Sequence, residues 1–343
     1  MATAPTTSQM LPGSRYRRPY DGWAMAATIP LTPSADAAPA GVLRPGWQHV
    51  DSDGTAIGWH RAQPERPTGR VPVVLCNGIA CSVDYWTAIE RRLRRERPVV
   101  QWDYRGHGAS GAPPDRDAVT MDHFMRDLDA VMRAAGVARA VLVGHSFGVQ
   151  VALEAARRRP DHVAAIVAVA GSAGAPLPPS ATRPPFGVLA MAERLHARMP
   201  GRADEAWRLW WRSPLIHLAA RALGGTSLAA PRQVMMSYYE HVSTRDVPLL
   251  LAMIRAMQDH DASDAVAELG VPLLALAGDA DRLTALPVMT RLALDAPHGE
   301  LAVCHGGTHT LPAEQPGWVV EQMRPLLRRL DAAAGRLDTT AGA

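Results

Sequence analysis

Lysine is missing from this 343-residue chain: all 36 of its basic residues are arginine. With no side-chain amine available, a Walker A phosphate loop, a lysine Schiff base and a Ser–Lys dyad are all excluded. Asparagine occurs once, as Asn77. Cysteine occurs three times, as Cys76, Cys81 and Cys304, at spacings that suit no metal site and with one thiol left over from any pairing. That usage points to a reducing, cytoplasmic compartment. No run of about 18 uncharged apolar residues exists, so no membrane-spanning helix is expected. No continuous apolar block follows Arg15, Arg17 and Arg18, so no secretory signal is expected either. Excess charge of one sign is also lacking. The net charge is +3, with 36 basic residues spread among 33 acidic ones, and no clustered basic face for nucleic acid is apparent.

What is present suits a globular fold with a sizeable core: 47% apolar and 20% charged residues. Residues 1–45, rich in Pro, Ala, Thr and Ser, read as a loose arm. Strand-like runs at 48–51 and 56–62 flank Asp53-Gly54, a hairpin signal. Further strands are predicted at 71–76, 99–102, 140–143 and 163–169, separated by helices over 82–95, 119–135 and 147–158. Such alternation implies an α/β fold whose central sheet is mainly parallel, with helices on both faces. The rhythm breaks after Ala170. Pro176, Pro178, Pro179, Pro184 and Pro185 open a strand-free stretch that reads as helical to 262. An excursion of roughly 90 residues is too long for a bare loop and reads as a helical subdomain. The pattern resumes with strands at 271–276 and 300–304 and helices at 286–295 and 316–330, leaving 332–343 as a tail. The division is therefore a core of 46–170 and 263–331 interrupted by a subdomain at 171–262.

Gly144-His145-Ser146-Phe147-Gly148 joins the strand 140–143 to the helix 147–158. This is G-x-S-x-G in the strand–turn–helix context that its chemistry requires. A sharp turn lifts the serine hydroxyl above the sheet edge, and glycines two residues either side avoid collision. Ser146 also opens a helix, whose dipole favours developing negative charge. With this pentapeptide the chain resembles the α/β-hydrolase superfamily, over about residues 48–330.

The resemblance implies a Ser–acid–His triad in that order, with an inserted cap at 171–262. Its acid position falls on Gly278-Asp279-Ala280-Asp281-Arg282, where Asp281 aligns with the usual acid and Asp279 is the local competitor. Its base falls on His309 in Gly306-Gly307-Thr308-His309-Thr310, with His305 as the fallback; His145 reads as structural. Oxyanion donors are implied at the amides of Phe147 and Ile79, the latter in Asn77-Gly78-Ile79-Ala80. Relatives carry His-Gly where this chain has Asn77-Gly78, so Asn77 is a departure. Its side chain shapes the loop, donates to substrate, or merely favours a turn. Asp103-Tyr104-Arg105-Gly106-His107-Gly108-Ala109-Ser110-Gly111 matches a scaffold turn of the superfamily.

Within the cap, Met235, Met236, Met253 and Met257 either line an adaptable acyl pocket or pack the cap on the core. Tyr238 and Tyr239 occupy positions where epoxide hydrolases of the superfamily carry cap tyrosines, but those enzymes use an Asp nucleophile and this chain has Ser146. The candidate substrate-binding residues are Asn77, Met253, Met257 and Tyr238. The implied activity is hydrolysis of an apolar carboxylic ester through an acyl-enzyme, with no metal, no cofactor and no nucleic-acid partner. Thioester, lactone or carbon–carbon cleavage, perhydrolysis and acyl transfer on the same triad remain open, as does a non-catalytic binding protein.

Overall fold

Uncharged runs such as Val-Val-Leu-Cys and Val-Ala-Ala-Ile-Val-Ala-Val suit strands whose two faces are both covered. The computed structural model describes residues 44–81, 83–175 and 188–341 and gathers these runs into one eight-stranded sheet. Its strands are β1 (Gln48–Ser52), β2 (Thr55–Ala62), β3 (Val73–Cys76), β4 (Val99–Trp102), β5 (Ala140–His145), β6 (Val163–Val169), β7 (Leu273–Gly278) and β8 (Gly299–Cys304). They lie in the order β1-β2-β4-β3-β5-β6-β7-β8. The first two are antiparallel to each other, and β2 is antiparallel to β4; the strands from β4 to β8 are all parallel. The hairpin at Asp53-Gly54 forms as expected: both residues take positive φ, +51° and +73°, and Ser52 faces Thr55.

Alternate residues of the buried strands feed two cores. Val74, Val100, Leu142, Ile166 and Ala275 face α2 (Met121–Ala134) and α3 (Phe147–Arg158). Val73, Val99, Val141, Val143 and Leu274 face α1 (Thr87–Leu93) and the long last helix. The first of these helices is shorter than the predicted 82–95, because Val83–Tyr85 tightens into a 3-10 turn before it.

The chain leaves the sheet after β6 and returns in β7, its direct neighbour. Among the described residues the regular structure of the excursion is all helical: α4 (Val188–Arg198), α5 (Pro200–Arg212), α6 (Leu215–Ala222), α7 (Arg232–Ser243) and α8 (Val247–Asp259), after which the short α9 (Ser263–Ala267) leads back to the sheet. The arm at 1–43 and the proline-rich opening at 176–185 lie outside the described residues. Leu249 and Met253 of α8 are buried in the main core, so this helix joins the excursion to the sheet.

After β7 come α10 (Leu286–Asp295), then β8, α11 (Leu311–Glu314) and α12 (Pro316–Ala341). The last helix outruns the expected 316–330 and takes in most of the segment read as a tail. Ala332-Ala333-Ala334 supplies the helix-favouring run that carries it on. Among the described residues no helix is long and apolar enough to cross a membrane.

Candidate active site

Ser146 stands between β5 and α3 with φ +53° and ψ −117°, a left-handed conformation that side chains rarely adopt. Holding a non-glycine residue there costs about 1–3 kcal/mol, which the surrounding packing must offset. The glycines of the pentapeptide explain how. A Cβ on Gly144 would run into the Gly148 carbonyl, and one on Gly148 would run into the Cys76 carbonyl. The turn is thus packed backbone against backbone, leaving the serine side chain at the sheet edge.

Two later loops converge on it. His309 Nε2 lies 3.0 Å from Ser146 Oγ, and His309 Nδ1 lies 3.1 Å from Asp281 Oδ2. Asp281 is buried and receives the Leu283 and Thr284 amides on Oδ1 at 2.8 and 2.9 Å. The Thr284 hydroxyl donates to Oδ2 at 2.6 Å. Burial alone would raise this carboxyl's pKa. The bond from His309, its charge and the Thr284 bonds outweigh that and hold it down at about 2. Asp279 and His305 are paired with each other instead, at the exposed end of the same loops, and Asp279 also accepts the Gly306 amide at 2.7 Å.

The loop Asn77–Ala80 lies directly beside Ser146. A Cβ on Gly78 would come within 3.2 Å of Ser146 Cβ and 3.0 Å of His145 Nδ1, so glycine lets the backbone approach this closely without displacing its neighbours. Ala80 turns the loop with φ +58°. Phe147 is the first residue of α3, where helix N–H groups have no intrahelical acceptor.

Asn77 points away from this space. Its Oδ1 accepts the Trp86 indole at 2.6 Å and its Nδ2 donates to the Trp102 carbonyl at 3.0 Å. With 2% of its surface exposed and its second N–H directed at Asp103 Oδ1 at 3.5 Å, it holds the loop in shape and has no donor to spare for substrate. Met253 is likewise not a pocket residue: it is wholly buried in the main core with Leu249 and Phe147. Met257 packs, half-buried, against the same core. Both methionines follow from α8 being the helix that docks on the sheet.

Tyr238 does reach the site's surroundings. It packs against the cluster of Ala80, Val242 and Leu250 and against that of Cys81, Tyr85 and Ala313. Trp207, Trp211, Val242 and Ile254 complete an apolar roof over Ile79 and Ala80. These residues, rather than the methionines, are the part of the excursion that packs with Ile79 and Ala80. Nothing in the sequence showed which side of α5 packs with Ala80.

Glu314 is a further residue that sequence reasoning missed. Its buried carboxylate accepts the Thr308 amide at 2.9 Å, the hydroxyls of Thr308 and Thr310 at 2.6 and 2.9 Å, and the Ser227 amide at 2.8 Å. It pins both flanks of His309 and ties that loop to the excursion. The D-x-R-G turn is scaffold, as read: Asp103 accepts the Ala109 amide at 2.9 Å, and Arg105 pairs with buried Asp127. All three cysteines are free and buried, and burial pushes the Cys76 and Cys81 thiols up to about 12. Neither supplies a thiolate beside Ser146 at neutral pH. Among the described residues no group of three or more His, Cys, Asp or Glu stands where a metal could be held.

Comparison with known proteins bears on this geometry. The chain is 36% identical over 121 residues to the "Putative carbamate hydrolase RutD" of Caulobacter vibrioides, spanning 34% of this chain and 44% of that protein. Its counterpart in Klebsiella pneumoniae is 34% identical over 103 residues, 30% of this chain and 38% of that one. The chain thus spans less than half the length of these relatives. Among solved structures, an esterase from Exiguobacterium antarcticum superposes with a TM-score of 0.65 at 15% identity, over 82% of this chain and 98% of that one. The enol-lactonase from Burkholderia xenovorans gives 0.64 at 19%, over 82% and 100%. These likenesses concern the fold. A family model described as the alpha/beta hydrolase fold matches residues 71–314, from the strand that precedes the Gly78 loop to the carboxylate that pins His309. The chain belongs to the α/β-hydrolase fold family.

Proposed function

We propose that the protein is a serine hydrolase that cleaves apolar carboxylic esters through an acyl-enzyme. One observation carries the reading. A strained Ser146 hydroxyl, the two nitrogens of His309 and a buried Asp281 carboxylate form an unbroken hydrogen-bonded line, at 3.0 and 3.1 Å.

In this mechanism Ser146 Oγ attacks the ester carbonyl while His309 Nε2 takes its proton. The Asp281 carboxylate accepts Nδ1–H, fixes the tautomer and stabilises the imidazolium that forms. Charge developing on the carbonyl oxygen falls to the Ile79 and Phe147 amides, at the N-terminus of α3. Collapse expels the alcohol, which receives the proton from His309. Water, activated by the same nitrogen, then releases the acid and restores Ser146. The excursion 171–262 serves as a cap, and its roof over Ile79 and Ala80 is apolar and aromatic, which favours uncharged acyl groups.

The deciding experiment pairs a fluorophosphonate label with p-nitrophenyl ester turnover. Mass spectrometry is expected to find the label on Ser146 alone, and Ser146→Ala to keep the fold while losing at least about 10³-fold in kcat. A label on another residue, or an active Ser146→Ala chain, overturns the reading. Thioesters, lactones and carbamates belong in the same panel. A phosphonate-reactive Ser146 without ester turnover would move the assignment to another acyl or carbon–carbon substrate.

A further inference from the structure

The residue before the nucleophile is buried, yet its side chain reaches across the site. His145 ends β5, is 2% exposed, and places Nε2 at 2.8 Å from the main-chain carbonyl of His309. A carbonyl only accepts, so Nε2 carries the hydrogen of the neutral ring and Nδ1 carries none. Nδ1 faces the Cys81 sulfur at 3.9 Å. Tyr85 stacks on the ring at a centroid distance of 5.6 Å, and Trp86 meets it edge-on at 6.3 Å. The hydrogen bond to the carbonyl therefore sets the tautomer, and packing sets the ring plane. Burial, then the charge of nearby His309, pushes this imidazole down to about 3. His145 thus stays neutral although its ring lies only 5.1 Å from that of His309.

The loop that carries His309 needs such a hold. It enters through Gly306 and Gly307, and Gly306 has positive φ and open space around its α-carbon. Asp279 grips it at the Gly306 amide and Glu314 at the Thr308 amide. Neither contact reaches the peptide of His309 itself. The bond from His145 does, and it comes from the strand whose next residue is Ser146.

We propose that His145 is the positioning residue of the catalytic base: its Nε2–H holds the His309 carbonyl and so sets His309 Nε2 against Ser146 Oγ. The nucleophile and the base are thereby referenced to one rigid element instead of to two loops. This inference rests on the reading of Ser146 and His309 given above.

Its test separates the two. Wild-type protein is first titrated with a fluorophosphonate and assayed on a p-nitrophenyl ester; silence in both overturns the hydrolase reading and this inference with it. Given activity, two variants decide. His145→Gln keeps an N–H donor near the Nε2 position and is expected to hold kcat within about threefold. His145→Met keeps apolar bulk but loses the donor. It is expected to lose about 10- to 100-fold in kcat, the scale of a base displaced by about an ångström, with KM within about twofold. A purely structural role would lower the melting temperature of both variants and leave kcat of the folded fraction intact. A Met variant within threefold of wild type, or a Gln variant as impaired as Met, overturns the proposal. Should His145→Met not fold, the Gln variant decides alone: a loss beyond tenfold in kcat rejects it, and retention supports it.

Discussion

The Thr284 hydroxyl stands between Asp281 and His309, 2.6 Å from Asp281 Oδ2 and 3.3 Å from His309 Nδ1. It has one hydrogen, and the shorter contact to the carboxylate takes it. Oδ2 therefore receives two donors, Thr284 Oγ1–H and His309 Nδ1–H, while two backbone amides occupy Oδ1. A bond to a charged acceptor is worth about 1.5–3 kcal/mol. Thr284→Val should leave Asp281 less well held and lower kcat by about 3- to 30-fold. The sign of its pH dependence follows from the carboxyl's depressed pKa. Stability from Asp281 is present above the ordinary carboxylate range and lost as pH falls through about 2. The melting-temperature gap between wild type and Thr284→Val is thus expected to be wide at pH 7 and to narrow toward pH 2. A gap that widens in acid would show that Thr284 does not support the ionised form.

Two carboxylates on one loop have opposite fates, and the difference is measurable. Asp281 is buried against His309, whereas Asp279 pairs with His305, which is 81% exposed at its side chain. Asp281→Asn should cost about 10²–10⁴ in kcat through the wrong imidazole tautomer. Asp279→Asn, which loses a solvated pair and a loop contact, should stay within about threefold. The reverse ranking would move the acid to Asp279.

Asp103 gives a pH prediction of the other sign. Burial raises its carboxyl from 3.8 to about 6, against the pull of the Ala109 amide and nearby arginines. An acid raised in the fold adds stability below its unfolded pKa, and that stability is lost as pH climbs through about 6. At about 1.4 kcal/mol per unit, the advantage of wild type over Asp103→Asn should shrink by about 2 kcal/mol between pH 4 and pH 7. Urea unfolding at the two pH values measures it. An advantage that grows with pH would mean that the ionised carboxylate is the favoured form.

How far the sequence could be read depended on whether a residue's partners are local. Strands covered on both faces show as apolar runs, and the Ser146 elbow shows because its geometry demands Gly144 and Gly148. The α/β class, the strand order in the chain and the strand–turn–helix context of Ser146 were legible for that reason. Asn77 stood out by rarity, but its partners Trp86 and Trp102 come from a helix lead-in and another strand, so its side chain's direction was not. Glu314 binds Ser227, 87 residues away in the chain, through a loop conformation that no local pattern encodes. Met253 misled because α8 is apolar on most sides, Leu249, Leu250, Leu251 and Met253 all being buried. Such a helix gives no sign of which apolar face looks at a substrate.

Substrate size depends on that last distinction. If the acyl group lies under the roof formed by Trp207, Trp211, Tyr238 and Leu250, each buried methylene adds about 0.8 kcal/mol of binding, roughly fourfold, until the space is full. On p-nitrophenyl esters, kcat/KM should rise from acetate to about hexanoate and then level or fall. Trp211 is the residue to change: its indole Nε1 is buried without a hydrogen-bond partner, so trimming the ring costs packing but no hydrogen bond. Trp211→Leu should move the optimum toward longer chains while acetate turnover stays within about threefold. Met253→Trp, by contrast, forces extra volume into a site with no exposed surface and should destabilise the whole chain by about 1–3 kcal/mol. A flat chain-length profile, or an optimum that moves in Met257 variants and not in Trp211→Leu, would place the acyl group elsewhere than beneath this roof.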